Sequence, residues 1–420
     1  MKNIAFIKDI VWGAPLIMIL VFSHIYFTVR FKFIQRYTFK GIKYSLTPDK
    51  TSSGVGTYSA FAAALGTTIG PGNIVGVALA ISVGGPGSIF WMWLCGVLAI
   101  ATKYAESYLA IKYRQKDGEG GYTGGVMYIL KKLGHIKTAK FWAWLCLIVG
   151  LGMGCMVPAN SLSVMLESQY AIPGWITGAV LAFMVALVIV CGFKGISKVC
   201  DFLVPIMSIG FMICCLCVIA LNYNKIFDSF LLIFKGAFMP ASIAGGGLGA
   251  AIKSGITRGL YSNESGMGSG AVLAAQAGDD NIEMSALAAS TTTFWDTVVM
   301  CVVTAIAFIC SGAYYDSNTG NMAYKAFSTL PYGDIFLSLA MAMFVFATII
   351  GWYCIAGRAV EFLFKTQLLY KICYIIFIFW GAILNVSAVW DFADIANAIM
   401  IVPSLYCLFK LKRDITFKIT

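Results

Sequence analysis

Eleven stretches of this chain are apolar for long enough to cross a lipid bilayer, and nothing else in the sequence restricts the fold as much. They run near 11–29, 58–83, 88–111, 141–166, 174–192, 201–222, 236–258, 283–311, 333–357, 368–388 and 392–409, each bounded by charged or turn residues. A helix needs about 20 residues to cross a hydrocarbon core, so these stretches use up the 420 residues and leave no soluble domain. Inside lipid every peptide N–H and C=O must be paired within the protein, which for segments of this length means α-helix. The expectation is one all-α integral membrane domain over 1–420. Hydrophobic residues at 60% against 12% charged, with a mean hydropathy of +0.83, fit that class and exclude an ordinary soluble globule.

The net charge of +11 needs no nucleic-acid partner, because Lys and Arg concentrate in cytoplasmic loops. The connection after the first span carries Arg30, Lys32, Arg36, Lys40, Lys43 and Lys50, and the one after the third carries seven more from Lys112 to Lys140. Assigning both to the cytoplasm puts the N-terminus outside and the C-terminus inside, in the cell's inner membrane. Strict alternation then places Lys194 with Lys198, Lys253 with Arg258, Arg358 with Lys365, and the tail from Lys410 to Lys418 on the inner side. The first apolar run, Val11–Val29, lacks a small-residue cleavage site and is expected to stay as a helix. The basic and aromatic stretch Phe31–Tyr58 reads as an interfacial segment. Most of the thirteen cysteines lie in apolar runs such as CCLC at 214–217 and read as small hydrophobes, not metal ligands.

Two spans are interrupted by glycine. The second contains GTTIGPGN at Gly66–Asn73 and the seventh contains GGGLG at Gly245–Gly249. They lie about 180 residues apart and run in opposite directions, as expected of an inverted five-helix repeat, 58–222 and 236–409, after one leading helix. Glycines such as Gly72 and Gly76 also suit plain helix packing. Pro71, however, removes a donor, clashes with the preceding turn and biases Gly70 away from helical geometry. An opened helix exposes carbonyls at one half-helix end, suited to a cation, and amides at the other, suited to a carboxylate. A small zwitterion and a sodium ion satisfy both ends.

Among side chains at this depth, Asp296 in TTTFWDTVVMC is an acid near mid-span, either functional or held by local hydrogen bonds. Thr348 offers a hydroxyl to a cation or to its own backbone. Trp352, one turn later on the same face, closes over a substrate side chain or packs. Glu106, Glu361 and Asp201 lie near span ends, where pairing with a neighbouring Lys or Arg is expected.

The blocks GTTIGPGNIVGVALAISVGGPGSIFWMW, ATKYAESYLAIKYR, RGLYSNESGMGSG, FWDTVVMC and IIGWYCIAGRAVEFLF resemble the alanine or glycine:cation symporter family, from about Gly66 to Tyr406. The resemblance implies a LeuT-like fold and sodium-driven uptake of alanine or glycine. It implies that Gly70, Gly72 and Asn73 belong to the unwound substrate segment, that Gly66 and Ile69 carbonyls with Thr348 bind sodium, and that Trp352 lines the pocket. Gly245, Gly246 and Gly247 take the place of the second unwound segment, and Asp296 is a candidate coupling residue. In the fourth span Cys155 and Pro158 stand where the family pattern carries amides, and Asn160 is the nearby amide that remains.

The function expected is a sodium-coupled importer of a small neutral amino acid working by alternating access, with proton coupling or, further off, a channel as alternatives. Sodium is the coupling ion; no cofactor and no protein partner is expected, and the surroundings are membrane lipid. An enzyme is disfavoured, since His24 and His135 lie far apart and no nucleophile or metal cluster assembles. GLGAAIKS at 247–254 has Ile252 where a P-loop needs glycine, and GEGGYTGG at 118–125 reads as a structural loop.

Overall fold

The computed structural model describes residues 2–47, 55–117, 121–238, 247–316, 319–385 and 387–418. The described part of each apolar stretch is mostly helix. Among the described residues, six helices are long and apolar enough to cross a bilayer singly: Ser88–Lys112, Ile136–Tyr170, Gly192–Leu221, Ile282–Cys310, Gly333–Phe364 and Val389–Lys410. Two shorter apolar helices, Gly174–Val190 and Leu368–Ile383, and the helix Gly247–Asn263 occupy three further expected positions. The remaining two positions belong to bent pairs.

The first bent pair is Ala14–Arg30 with Ile34–Ser45, turned by 64°. The chain turns at Lys32 and Phe33, both at positive φ, and the second arm is the amphipathic basic segment expected at the interface. Its Gly41 packs so closely on Ile282–Thr293 that an added Cβ would lie 2.9 Å from the Leu287 carbonyl. The second pair is Thr57–Thr68 with Pro71–Gly84, bent by 51° at the GPGN sequence. This is the interruption expected from Pro71.

Ser88–Lys112 runs through the centre, with Tyr104, Lys103 and Leu109 all shielded. Gly255 and Gly259 form a small-x-x-x-small edge on Gly247–Asn263 that lets it lie against this helix. A Cβ on Gly255 would come 2.2 Å from the Ser88 carbonyl. The sixth span shows the opposite pattern: Phe202, Ile206, Ile209, Ile213 and Leu216 follow one another at helical spacing and stay exposed, a lipid-facing stripe.

Gly245 and Gly246 of the expected second interruption lie outside the described residues, and Gly247 already belongs to the continuous helix Gly247–Asn263. That helix breaks at Glu264–Gly268, before Ser269–Ala274, with Glu264, Gly266 and Gly268 at positive φ. Residues in the left-handed region cannot continue a right-handed helix. Lys253 and Arg258 therefore sit before the break. Arg258 acts on Asp394 together with Lys8, at the end of the bundle opposite Arg358, and does not share Arg358's face as alternation implied.

Candidate functional site

The first break is built by its own sequence. The helix ends at Thr68, Ile69 and Gly70 are extended, and Pro71–Asn73 makes one 3-10 turn before Val75–Gly84 resumes. The freed amide of Gly70 donates to Asn73 Oδ1 at 2.8 Å. A Cβ on Gly70 would lie 2.4 Å from Thr348 Oγ1, so only glycine lets the ninth span's hydroxyl reach the peptide. Thr348 Oγ1 in turn approaches the Gly66 carbonyl at 3.4 Å. Gly72 and Gly76 are not packing glycines: nothing stands within 3.8 Å of a Cβ at Gly72, and nothing within 4 Å at Gly76.

Asn73 turns away from the break's open side. Its Nδ2 donates to Asp296 Oδ1 at 2.7 Å, and Ser262 Oγ, just before the second break, donates to the same oxygen at 2.8 Å. Thr297 Oγ1 donates to Asp296 Oδ2 at 2.6 Å. The fully buried Asp296 thus ties the two interrupted helices together. It sits where the eighth span is wound wider than an α-helix, over Phe294–Cys301, a device common at functional sites.

Between the breaks lies a small cavity of about 40 Å³, bounded by Gly70, Gly72, Thr348, Ser262, Trp352 and Pro158, among others. Trp352 is wholly buried and pressed against Gly154, where a Cβ would come 2.8 Å from that of the tryptophan. Met153, Val157 and Pro158 supply an apolar wall from the fourth span. That span also widens its winding at Gly152–Met156. Above the cavity Tyr261 stacks on Trp390 with ring centres 5.8 Å apart. Trp390 also borders a larger cavity of about 650 Å³ that reaches Gln169 and Asp334.

At the other end of the ninth span, Arg358 joins Asp117 at 3.1 Å, Glu361 at 2.9 Å and Gln276 at 3.3 Å.

The structure gathers Gly70, Gly72, Thr348 and Trp352 at one cavity, with Gly66 and Asn73 directly behind it. Ile69 has its side chain in an apolar groove beside Leu65 and Val204. Gly247 starts a helix whose Ser262 borders the cavity about 22 Å further along. Cys155 bonds the Leu151 carbonyl, and the Asn160 amide serves the carbonyls of Gly381 and Leu384, so neither faces the cavity. Glu361 pairs with Arg358 as expected; Asp201 accepts from Ser59 at 2.6 Å, and Glu106 lies deep inside, one turn from Lys103. His24 and His135 are occupied separately by Thr102 and Tyr406. Ser262, Tyr261, Glu264 and Trp390 were missed by sequence reasoning. The ESGMGSG run, with three glycines in seven residues, was the available signal for the second break.

Two spans unwound beside one shared cavity are the architecture of a broken-helix membrane transporter. The chain matches the model of the sodium:alanine symporter family over residues 1–419 and belongs to that family. It is a multi-pass sodium and amino-acid symporter by class and not an enzyme. It is 36% identical to the sodium/alanine symporter AgcS of Methanococcus maripaludis over 96% of this chain and 93% of that protein. It is 30% identical to the probable sodium/glutamine symporter GlnT of Bacillus subtilis, over 97% and 87%. Among solved structures, MhsT in complex with L-phenylalanine aligns with a TM-score of 0.64 at 12% identity, covering 86% of this chain and 89% of that one. A Na+-coupled sialic acid symporter aligns at 0.52 and 12%, over 94% and 82%. These two likenesses carry the LeuT-like fold.

Proposed function

We propose that this protein imports a small neutral amino acid, alanine, glycine or a near relative, together with sodium, by alternating access. The observation that carries this reading is the Gly66–Thr348–Gly70 junction beside the small cavity between the breaks. There a helix C-terminal end and a threonine hydroxyl offer oxygen to a hard cation, while the next half-helix begins with free amides suited to a carboxylate. In this reading the Gly66 and Ile69 carbonyls with Thr348 Oγ1 hold sodium. Gly70, Gly72 and Ser262 take the zwitterion, and Trp352 closes over its side chain.

Size and polarity narrow the substrate. A cavity of about 40 Å³ walled by Met153, Val157 and Pro158 suits a short apolar side chain, and it offers no side-chain amide to a glutamine. The relatives AgcS, a sodium/alanine symporter, and GlnT, a probable sodium/glutamine symporter, span both choices, and the wall favours the smaller. With the N-terminus outside, the larger cavity below Asp334 is the external vestibule, and the Arg358 cluster is the closed cytoplasmic side.

Purified protein in liposomes should take up alanine or glycine only under an inward sodium gradient, with weak competition from glutamine. Uptake that persists unchanged when choline replaces sodium would remove the coupling, and stronger competition by glutamine than by alanine would remove the size argument.

A further inference from the structure

We propose that the ammonium of Lys103 is a tethered cation filling what would otherwise be a monovalent-cation site at the second helix break, so that only the first break exchanges its ion during transport. The breaking of the helix at Glu264–Gly268 frees carbonyls at the end of Gly247–Asn263. Lys103, on the central helix, is 1% exposed, and its Nζ donates to the Asn263 carbonyl at 3.1 Å. Gly270 provides the room: a Cβ there would stand 2.4 Å from Nζ. The ammonium is seated at a helix C-terminal end, where a cation is stabilised by the peptide dipoles.

The surroundings are those of a cation site. Glu264 accepts from Ser269 Oγ at 2.6 Å and lies within reach of Trp352, the wall of the substrate cavity. Glu106, one turn along the same helix as Lys103, accepts from Ser404 Oγ at 2.9 Å on one oxygen, while its buried second oxygen has no direct partner among the described residues. Glu106, Glu264 and Asp296 lie near enough to feel the Lys103 charge, though none forms an ion pair with its ammonium. The central helix contributes Lys103 and Glu106, the break Glu264, and the eighth span Asp296; the facing eleventh span contributes the neutral Ser404. Carbonyl and carboxyl oxygens of this kind are ligands for hard cations. Lys103 is the cation these three buried acids share, so without it any charge they carry would stand unbalanced, which is costly inside a membrane.

A covalently held cation cannot leave. The second break therefore keeps its polarity in every state, and Lys103 acts as a positioning residue that holds Glu264 behind Trp352. The inference depends on the transport reading only for its uptake measurement.

The test removes the tethered charge. Purified full-length Lys103→Gln is heated in detergent in sodium, ethylammonium or choline chloride at one ionic strength. The variant is expected to lose stability in choline and regain it in sodium or ethylammonium, with a salt-specific rise about twofold or more larger than that of the unsubstituted protein. Adding Glu264→Gln should abolish the extra rise. In liposomes the sodium activation of Lys103→Gln should steepen, its Hill coefficient rising by about one. Equal losses in all three salts, or a cation response no larger than that of the unsubstituted protein, overturn the proposal. If Lys103→Gln cannot be purified, Lys103→Gln with Glu106→Gln lowers the buried charge and takes its place. Absence of the enlarged sodium response there is equally fatal. A protein that shows the enlarged response yet transports no amino acid would sink the transport reading and leave this one standing.

Discussion

At Gly70 a single hydrogen atom decides whether the first break can form. A Cβ would sit 2.4 Å from Thr348 Oγ1, and relieving such overlap costs about 1–3 kcal/mol of displaced packing. Gly70→Ala is expected to lower sodium-driven uptake about tenfold or more, while Gly76→Ala, with open space around it, leaves it near the original rate. Comparable loss in both would show that the glycines serve general packing. Thr348→Val keeps the shape and removes the oxygen. If Thr348 Oγ1 holds sodium as proposed, loss of that ligand, worth about 1–2 kcal/mol, raises the half-saturating sodium concentration about tenfold, and Thr348→Ser should restore it. Asp296 already accepts from Asn73, Ser262 and Thr297, so its carboxyl group serves as a structural tie. Asp296→Asn should weaken uptake at every pH alike. A selective loss of proton-driven uptake would instead make Asp296 a proton carrier.

The two broken helices were unequally readable as elements. Pro71 between two glycines is a local instruction: it removes a donor and bars the preceding residue from helical geometry, whatever surrounds it. The second break has no proline. Its Glu264, Gly266 and Gly268 take positive φ because neighbours hold them there: a Cβ on Gly266 would meet Leu20 at 2.8 Å and one on Gly268 would meet Val126 at 2.3 Å. The GGGLG run was the more conspicuous signal, but Gly247 starts a helix. Gly268→Ala, strained in φ and crowded as well, should destabilise the protein by about 1–2 kcal/mol or more. Thermal unfolding in detergent would register that as a lowered midpoint, and Gly249→Ala, with nothing within 4 Å, should not move it.

For the whole molecule, the proposed alternating access has the Tyr261–Trp390 end and the Arg358 end open in turn. In that cycle the Arg358 cluster with Asp117, Glu361 and Gln276 is the polar closure on its side. Arg358→Gln leaves carboxylates without their partner and should shift the population towards opening there. Cysteines placed near Gln276 should then react faster with a membrane-impermeant thiol reagent from that side. Unchanged labelling would mean that apolar packing, not this cluster, keeps the face shut.

Apolar runs of about 20 residues determined where the described helices form, because a peptide in lipid has no alternative to pairing with itself. Pro71 determined the first break for an equally local reason. Only the tertiary structure decided what faces what: that Asp296 joins the two breaks, that the second break falls at 264–268, that Arg258 lies opposite Arg358, and that Lys103 reaches the Asn263 carbonyl. Those outcomes depend on which side chains meet across helices far apart in sequence, and a one-dimensional pattern of hydropathy carries the period of a helix but not the identity of its neighbour.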